Sequence, residues 1–390
     1  MRHFLLFAAF AIMACGARTP KEETMEQLRE RVFAVARHQA VFLDSQLPDG
    51  RYPKTFQDGE LITSDISWWC SGFYPGVLWT LASPGDSLED LAIKHTLPLA
   101  ELTDRDVDHD IGFQLMSSFG YWNIVLYSTP ARDPETVRMV GSVLRKGAEK
   151  LAARFDPAIG CIRSWDFGDW NFPVIIDNMM NLELLMDYGD RSVAEQHALT
   201  TMKNHFREDG TCFHLVDYAD DGHVLGKQTV QGYADDSAWA RGQAWALYGY
   251  AMMALKEKNE GNLALAKTFY DVAAKLEDWV LEHLPEDGIP YWDFSRTDYK
   301  DASAGAILAS GLLKLRQYRG AEDAGRGLAV TERILRTLAS PEYLAEPGTN
   351  GGFLLRHGVG HLPNHSEVDV PLTYADYYFL EALTLYPYAD

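Results

Sequence analysis

Apolar residues recur at helical spacing along almost the whole chain. From about Met25 onward, the sequence shows the 3.6-residue apolar period that is typical of α-helices. Alternating strand-like patterns are scarce and limited to short pieces such as 211–216. No low-complexity linker divides the chain, so we predict a single domain over 25–390. The predicted helices are 25–46, 68–82, 87–101, 110–127, 133–154, 174–187, 191–207, 236–257, 261–283, 301–317, 321–338 and 371–386.

The predicted helices alternate in character along the chain. The odd-numbered ones are charged and amphipathic, as in 143–150, whereas the even-numbered ones are poor in charge and rich in Gly, Ala, Ser and aromatic residues, as in 238–253. An amphipathic helix packs on the outside of a domain, and one that is apolar nearly all round is buried. Six such hairpins predict an all-α (α/α)6 barrel. An α-solenoid is the alternative, but the repeated motif that it requires is not found in the sequence.

The starts of the six inner helices carry unusual residues. In an (α/α)6 barrel these helices run parallel, so their N-termini share one mouth. A cleft ringed by helix N-termini is locally electropositive, which favours an anionic ligand. The residues concerned are Trp68 and Trp69, Asp110, Asp177, and the stretches 241–245, 301–303 and 369–371.

Two of these residues, Asp110 and Asp177, are carboxylates among apolar neighbours. Each lies where a polar loop gives way to a helical pattern. A carboxylate in apolar surroundings is costly unless it is paired, protonated or used. Two such residues suggest paired carboxylates in acid–base chemistry, as in glycosidases. The alternative is that both are helix N-caps, a common role for Asp.

Composition excludes some classes of function. The net charge of −21 argues against nucleic-acid binding, which needs a basic surface, and 47% hydrophobic content supports a sizeable core. Cys70, Cys161 and Cys212 are odd in number once the N-terminal Cys15 is set aside, so we predict buried thiols rather than a disulfide framework.

The N-terminus has the pattern of a targeting segment. A short basic start precedes an apolar run at 4–13 that is too short to span a bilayer, and 12–15 resembles a bacterial lipobox. We predict a lipoprotein-type signal peptide at 1–15 with Cys15 lipidated, followed by a polar tether at 16–24. The protein would then be lipid-anchored in the periplasm of a Gram-negative bacterium. An ordinary secretory signal that contains a cysteine is the alternative.

Four stretches carry a family resemblance. They are 109–113 (HDIGF), 176–182 (IDNMMNL), 231–245 (QGYADDSAWARGQAW) and 367–378 (EVDVPLTYADYY). With these motifs the chain resembles the unsaturated glucuronyl hydrolases, glycoside hydrolase family 88, over nearly its whole mature length. The resemblance implies an (α/α)6 barrel. It also implies hydration of the C4=C5 bond that polysaccharide lyases leave on a terminal uronate, after which an unstable hemiketal opens and releases the rest of the sugar.

The resemblance implies roles for the two aspartates. Asp177 corresponds to the general acid that protonates the double bond and to the base for water. Asp110 corresponds to a second essential carboxylate that orients water and substrate. The apolar residues around Asp177 should raise its pKa, whereas His109 and Gly112 give Asp110 a more polar setting that favours the ionised form. A helix N-terminus lowers the pKa of either one.

The remaining predicted site residues bind substrate. By motif position, the subsite for the unsaturated uronate contains Trp69, His214, Gln231, Arg241 and Trp245. Arg241 suits a carboxylate because its planar fork can bind both oxygens. The alternatives are a surface ion pair for Arg241 and core packing for Trp245. Trp165 as an aromatic wall, or as core, together with Ser303 and His361, completes the predicted set.

His357 and His361 have the i,i+4 spacing of some metal ligands. The glycines between them argue against a helix, and the chain has no His-Glu-x-x-His motif. We therefore predict no metal and no cofactor.

Several alternatives remain at this stage. One is an unsaturated rhamnogalacturonyl hydrolase acting on pectin fragments, and another is a sugar 2-epimerase with a histidine pair. A non-catalytic glycan-binding lipoprotein is a third, which leaves Asp177 without a role. The identity of the glycosaminoglycan and the oligomeric state stay open. The stretch 364–369 lacks the Ser-x-x-Ser-x-Lys sulfate patch of some family members, which weakens a preference for chondroitin 6-sulfate.

Overall fold

The computed structural model describes residues 23–129, 133–320 and 325–388. The predicted signal peptide with Cys15, most of the tether and the first residues of the predicted helix 321–338 lie outside these ranges. The described helices are α1 (Met25–Asp44), α2 (Phe73–Leu81), α3 (Ser87–Thr96), α4 (Ile111–Leu115), α5 (Tyr121–Ser128), α6 (Pro134–Ala152), α7 (Asn178–Tyr188), α8 (Arg191–His205), α9 (Ala240–Asn259), α10 (Leu263–His283), α11 (Ala302–Arg319), α12 (Arg326–Leu338) and α13 (Thr373–Leu385).

The helices form two concentric rings. A π-helical turn, Met116–Gly120, joins α4 to α5, so the predicted helix 110–127 is one continuous inner element. The inner ring runs α2, α4–α5, α7, α9, α11 and α13, each packed on the next, and α13 packs back on α2. The outer helices are α1, α3, α6, α8, α10 and α12. This is the predicted (α/α)6 barrel, which is thereby confirmed.

Residue type explains which helices are inside. The outer helix α6 buries one face, with Val140, Leu144 and Leu151 inward, whereas α9 is buried from Ala240 to Ala254 on all sides. Glycines let the inner helices approach each other closely. A Cβ on Gly249 would lie 2.5 Å from the Cβ of Met179, so α9 and α7 could not keep their present separation with a larger residue there.

Short strands occur in the loops before the inner helices. They are β1 (Tyr52–Gln57), β2 (Glu60–Ser64), β3 (Phe155–Asp156), β4 (Cys161–Ile162), β5 (Pro173–Ile175), β6 (Leu215–Tyr218), β7 (Val224–Gln228), β8 (Gly358–His361) and β9 (Ser366–Val370). They pair as β1–β2, β3–β4, β5–β6–β7 and β8–β9, all antiparallel. Because each inner helix begins at the mouth, these sheets surround it.

The strands correct several predicted boundaries. The predicted helix 174–187 begins too early, because Pro173–Ile175 pairs with β6 and α7 starts at Asn178. A run of buried β-branched residues fits a strand better than a helix start. Likewise α9 begins at Ala240, and α13 begins at Thr373 after β9.

Two further expectations concern the chain as a whole. The three cysteines Cys70, Cys161 and Cys212 are buried and free, as predicted. Among the described helices, none has the length and apolar character needed to cross a membrane.

Candidate active site

Asp110 and Asp177 occupy the N-cap positions of α4 and α7, but neither side chain caps its helix. The β5–β6 pairing holds the start of α7, and the Ile176 N–H extends it by donating to the carbonyl of His214 at 2.9 Å. The capping role is therefore not what these carboxylates do. Both are left available for another purpose.

Asp177 is a buried acid whose outer oxygen has no hydrogen bond. The residue is 8% exposed, and its Oδ2 has no partner among the described residues. Burial raises the pKa of Asp177 to about 7, against the opposing influence of the Arg241 charge. This confirms the direction predicted from its apolar neighbours, and it makes the group a proton donor near neutral pH.

His214 faces Asp177 as a neutral donor. Its Nδ1 accepts hydrogen bonds from the backbone N–H groups of Val230 and Gln231 at 3.0 and 3.3 Å. In the neutral ring the proton must then be on Nε2, which lies 3.8 Å from Asp177 Oδ2. Burial and the Arg241 charge hold the pKa of His214 well below its usual value, so the ring stays neutral. It can stabilise the carboxylate that remains after Asp177 gives up its proton.

Asp110 does not have the ionised character predicted from its sequence neighbours. Burial, together with the carboxyl groups of Asp108 and Asp177, raises the pKa of Asp110 well above its ordinary value. His109, which the prediction treated as a polar neighbour, is itself buried, and burial lowers its pKa to about 3. A neutral imidazole supplies no charge to favour an ionised Asp110, even at 3.4 Å. The prediction was wrong because it considered only adjacent residues.

Close contact between α4 and α7 brings the two aspartates together. The side-chain oxygen of Asn181 on α7 accepts a hydrogen bond from the Phe113 N–H of α4 at 2.7 Å. A Cβ on Gly112 would lie 2.6 Å from the Cα of Asn181, so only glycine permits this approach. Because two nearby carboxylates resist ionising together, the pair retains a proton at a pH where a solvated carboxyl group has lost it.

Arg241 is buried in the mouth, with its terminal nitrogens already engaged. It is 2% exposed, which excludes a surface ion pair. One terminal nitrogen donates to Asp301 Oδ2 at 3.3 Å and to the carbonyl of Val359, and the other donates to Gln231 Oε1 and the carbonyl of Gly360, both at 2.6 Å. The predicted two-pronged grip on a substrate carboxylate is therefore not open in this structure. Arg241 instead ties three segments together and places a positive charge near Asp177.

Three predicted residues line one cavity together with Arg241. Trp69, Gln231 and His361 border a space of about 220 Å³. The Trp69 ring lies 4.8 Å from that of Tyr374, between centroids, on the wall of this cavity. His361 Nε2 lies 3.1 Å from the Asn364 side-chain nitrogen. Burial and the Arg241 charge lower the pKa of His361.

Trp245 and Trp165 lie on opposite sides of the aspartate pair. Trp245 is fully buried, its ring packs 5.1 Å from that of Phe113, and its unpartnered indole N–H is on the side of Asp177. It is thus both core and site. Trp165 stacks on Phe167 at 5.0 Å and borders a second, larger cavity of about 690 Å³ next to Asp108.

Ser303 is wrongly predicted as a substrate-binding residue. It is fully buried, and both its N–H and its hydroxyl donate to Asp301 Oδ1, at 3.0 and 2.6 Å. Since the other oxygen of Asp301 accepts from Arg241, Ser303 acts by fixing the partner of Arg241. The helix start attracted attention for its position, and its contacts are with the protein.

Some mouth residues were missed by the sequence predictions. Tyr374 lies within a quoted motif and lines the cavity with Lys54 and Glu367. Lys54 carries no sequence signal, because nothing in the chain order shows that β1 reaches the mouth. Within the described ranges, no group of three or more His, Cys, Asp or Glu side chains is placed to hold a metal ion.

Fold and site together define a class of protein. A barrel of helix pairs carries, at the N-terminal mouth of its inner ring, a proton-donating acid, a second carboxyl group and aromatic walls. This is the arrangement of an (α/α)6-barrel enzyme that performs acid–base chemistry on sugars.

Comparison with known proteins narrows the class. No protein-family model matches the chain. An unsaturated glucuronyl hydrolase of Formosa agariphila is 40% identical over 333 residues, which cover 81% of this chain and 79% of that protein. An unsaturated chondroitin disaccharide hydrolase of Streptococcus pyogenes is 30% identical over 351 residues, covering 84% and 83%. A crystal structure of an unsaturated glucuronyl hydrolase specific for heparin is 39% identical, with a TM-score of 0.84 over 93% of this chain and 97% of its own.

The chain belongs to the unsaturated glucuronyl hydrolases, the glycosidases of glycoside hydrolase family 88. The resemblance predicted from the four motifs is thereby confirmed.

Proposed function

We propose that this protein removes the terminal 4,5-unsaturated uronate from lyase-generated glycosaminoglycan fragments by hydrating its C4=C5 bond. One observation carries the proposal. Asp177 is a carboxyl group with a pKa raised to about 7 by burial, and its free oxygen has no hydrogen bond where a substrate double bond would lie. An acid of this kind is needed to protonate a vinyl ether near neutral pH.

The residues allow the reaction to be followed step by step. Asp177 gives its proton to C4, and the positive charge that forms at C5 is shared with the ring oxygen. Water then adds to C5 and loses a proton to the Asp177 carboxylate, while Asp110 orients the water. The product is a hemiketal at C5. Breaking its C5–O5 bond leaves a ketone at C5 and a hemiacetal at C1, whose collapse to an aldehyde releases the remaining sugar.

The surroundings of Asp177 suit these charge changes. The His214 N–H faces the carboxylate after proton transfer, at 3.8 Å in the free protein. The buried Arg241 charge and the N-termini of the inner helices favour an anionic sugar in the mouth.

Among glycosaminoglycan fragments, we propose heparin-type disaccharides as the preferred substrate. The similar structure named as specific for heparin supports this choice. So does the stretch 364–369, which lacks the Ser-x-x-Ser-x-Lys patch. Chondroitin-derived disaccharides are the main competitor, as the name of the streptococcal relative indicates.

The direct test follows the ultraviolet absorbance of the unsaturated uronate. Purified protein is mixed with unsaturated disaccharides made by lyases from heparin, chondroitin and hyaluronan, and with an unsaturated rhamnogalacturonan fragment. Hydration destroys the conjugated double bond, so we expect the absorbance to fall, fastest with the heparin product. Faster loss with the pectin fragment would favour the rhamnogalacturonyl alternative. Stable absorbance with every fragment would refute the proposal.

We also propose that the protein is a lipoprotein held at a membrane in the periplasm of a Gram-negative bacterium. The apolar run 4–13 followed by the lipobox-like 12–15 supports lipidation at Cys15. Replacing Cys15 with Ser should move the protein from the membrane fraction to the soluble fraction at unchanged specific activity. Continued membrane association of Cys15→Ser would contradict the lipid anchor.

A further inference from the structure

Lys54 brings a positive charge with open donors into the mouth cavity. It lies on β1, its side chain is 22% exposed, and its Nζ lies 4.0 Å from the centroid of the Trp68 ring. The nearest carboxylate oxygen, Glu367 Oε1, is 3.8 Å away, well beyond the roughly 2.7–2.9 Å of a charge-assisted hydrogen bond. Within the described part of the chain, this ammonium group therefore makes no hydrogen bond, although it has three N–H groups to donate.

The contrast with Arg241 makes Lys54 informative. Both side chains border the cavity of about 220 Å³ that also contains Trp69 and Gln231. The terminal nitrogens of Arg241 are engaged by protein acceptors, so this residue supplies charge without a free donor pair. Lys54 is the lining residue that has both a positive charge and donors directed to no protein atom.

Glu367 faces Lys54 across the cavity as a loosely held counter-ion. It lies on β9, with a backbone φ of 56°, a conformation that L-residues rarely adopt. A Cβ on Gly360 would lie 2.4 Å from Glu367 Oε2, so β8 gives way to place this carboxyl group inward. Burial raises the pKa of Glu367, which weakens its hold on Lys54.

We propose that Lys54, lying over Trp68, is an anion-binding position of the substrate site and that Glu367 is the counter-ion that the substrate displaces. The ligand group is an oxyanion, either the carboxylate of the unsaturated uronate or a sulfate on one of the two sugars. Asn364 and Ser366 border the same cavity and can donate further hydrogen bonds to such a group. The nature of the ligand rests on the proposed function.

The experiment measures binding without turnover. Two unsaturated heparin-type disaccharides that differ by one sulfate are titrated calorimetrically into Asp177→Asn protein, with and without Lys54→Met. We expect Lys54→Met to weaken binding by about 10-fold, on the scale of one charge-assisted hydrogen bond. Equal weakening for both disaccharides assigns the uronate carboxylate, and weakening confined to the sulfated one assigns the sulfate. Affinities within 2-fold of the parent for both would overturn the proposal.

Two further variants separate a specific role from a general loss of charge. Lys300→Met is the matched control, because Lys300 is also 22% exposed, also lies over an aromatic ring and pairs with Asp287, but does not line the cavity. It should bind both disaccharides as the parent does. Glu367→Gln should bind the assigned disaccharide a few-fold more tightly, since the competing carboxylate is gone, and weaker binding would contradict its role as a displaced counter-ion.

The readouts of the two proposals are distinct. If the wild-type protein leaves the uronate absorbance intact, the proposed function fails while the titration still measures the contribution of Lys54. If turnover occurs but Lys54→Met binds normally, only the anion position is refuted. Absence of binding to either disaccharide overturns both.

Discussion

Asp177 and Glu183 begin and continue the same inner helix, yet their carboxyl groups behave in opposite ways. Burial raises the pKa of Asp177, at the mouth, to about 7. Toward the other end of the barrel, burial would also raise the pKa of Glu183, but the ammonium groups of Lys256 and Lys314 outweigh it and lower the value to about 2. Lys256 Nζ lies 2.9 Å from Glu183 Oε1, whereas Asp177 Oδ2 has no hydrogen-bond partner.

The difference teaches that burial alone does not determine what an acid does. At the far end each carboxylate is close to a cation, and Asp187 shares Lys256 with Glu183. Such pairs hold helices together. At the mouth two carboxyl groups face each other and a neutral histidine, so the proton is kept available for transfer. The protein gives up stability at the mouth in order to retain a reactive acid there.

The largest expected effect comes from replacing the mouth acid. Asp177→Asn removes the proton donor, so turnover of unsaturated disaccharides should fall by about 10²–10⁴-fold or more. The absorbance assay measures the rate, and circular dichroism checks that the fold persists. If the variant keeps more than about a tenth of the wild-type rate, Asp177 is not the acid.

The same variant has a predicted stability signature. The folded pKa of about 7 is above the unfolded value near 4, so folding takes up a proton and the stability from Asp177 is lost as pH rises from about 4 to about 7. Asp177→Asn should therefore melt at a higher temperature than the wild type at pH 8, with little difference at pH 4. A lower melting temperature at pH 8 would contradict the unpaired, buried state of this acid.

The second prediction concerns the buried cation at the mouth. Arg241→Ala should raise KM and lower kcat/KM, because the uronate loses a positive charge and Gln231 loses its anchor. Asp301 is left buried without its cation, so unfolding free energy should also fall by roughly 3–5 kcal/mol. Chemical denaturation and the absorbance assay measure the two effects.

Lys256→Met is the matched control at the far end. It should lower stability through Glu183 and Asp187 while leaving kcat/KM close to wild type. An unchanged kcat/KM in Arg241→Ala would instead place the uronate site elsewhere.

The third prediction tests the helix contact that brings the aspartates together. In Gly112→Ala, the new Cβ would lie 2.6 Å from the Cα of Asn181, so α4 and α7 must separate. We expect a loss of about 1–3 kcal/mol of stability from overpacking. We also expect a loss of kcat of up to about 10²-fold, because Asp110 shifts relative to Asp177.

Gly141→Ala on the outer helix α6 provides the comparison. A Cβ there would meet only the end of the Arg145 side chain, at 3.2 Å. This variant should be at least as stable as the wild type, by up to about 1 kcal/mol, and fully active. Equal behaviour of the two alanine variants would show that the α4–α7 approach does not position the acids.

The smallest effect is expected from the paired acid. Glu183→Gln should leave kcat within a few-fold of wild type and lower the unfolding free energy by about 1–3 kcal/mol at pH 7. Because the folded pKa of Glu183 is lowered to about 2, its contribution is present above about pH 4 and disappears as pH falls toward 2. Denaturation curves at pH 7 and pH 3 should therefore converge for variant and wild type. A large loss of activity in Glu183→Gln would remove the distinction between the two ends.

Several features of the protein were determined by local sequence. The alternation of amphipathic and uniformly apolar segments predicted the two rings of helices, because a helix buries the face that its own residues make apolar. The start of α7 could be placed to within a few residues, and the apolar neighbours of Asp177 predicted its raised pKa. The four motifs identified the family. Each of these inferences depends on residues that are close together in the chain.

Other features depend on contacts that only the folded chain creates. The pKa of Asp110 follows from Asp177 and from burial across the α4–α7 contact, so the adjacent His109 was misleading. The hydrogen bonds of Arg241 come from β8, Gln231 and Asp301, and they removed both the expected carboxylate fork and the expected role of Ser303. Lys54 reaches the mouth only because β1 lies beside β9. Charge, pairing and access are set by neighbours in space, and the spacing of residues along a chain does not determine which distant neighbours those are.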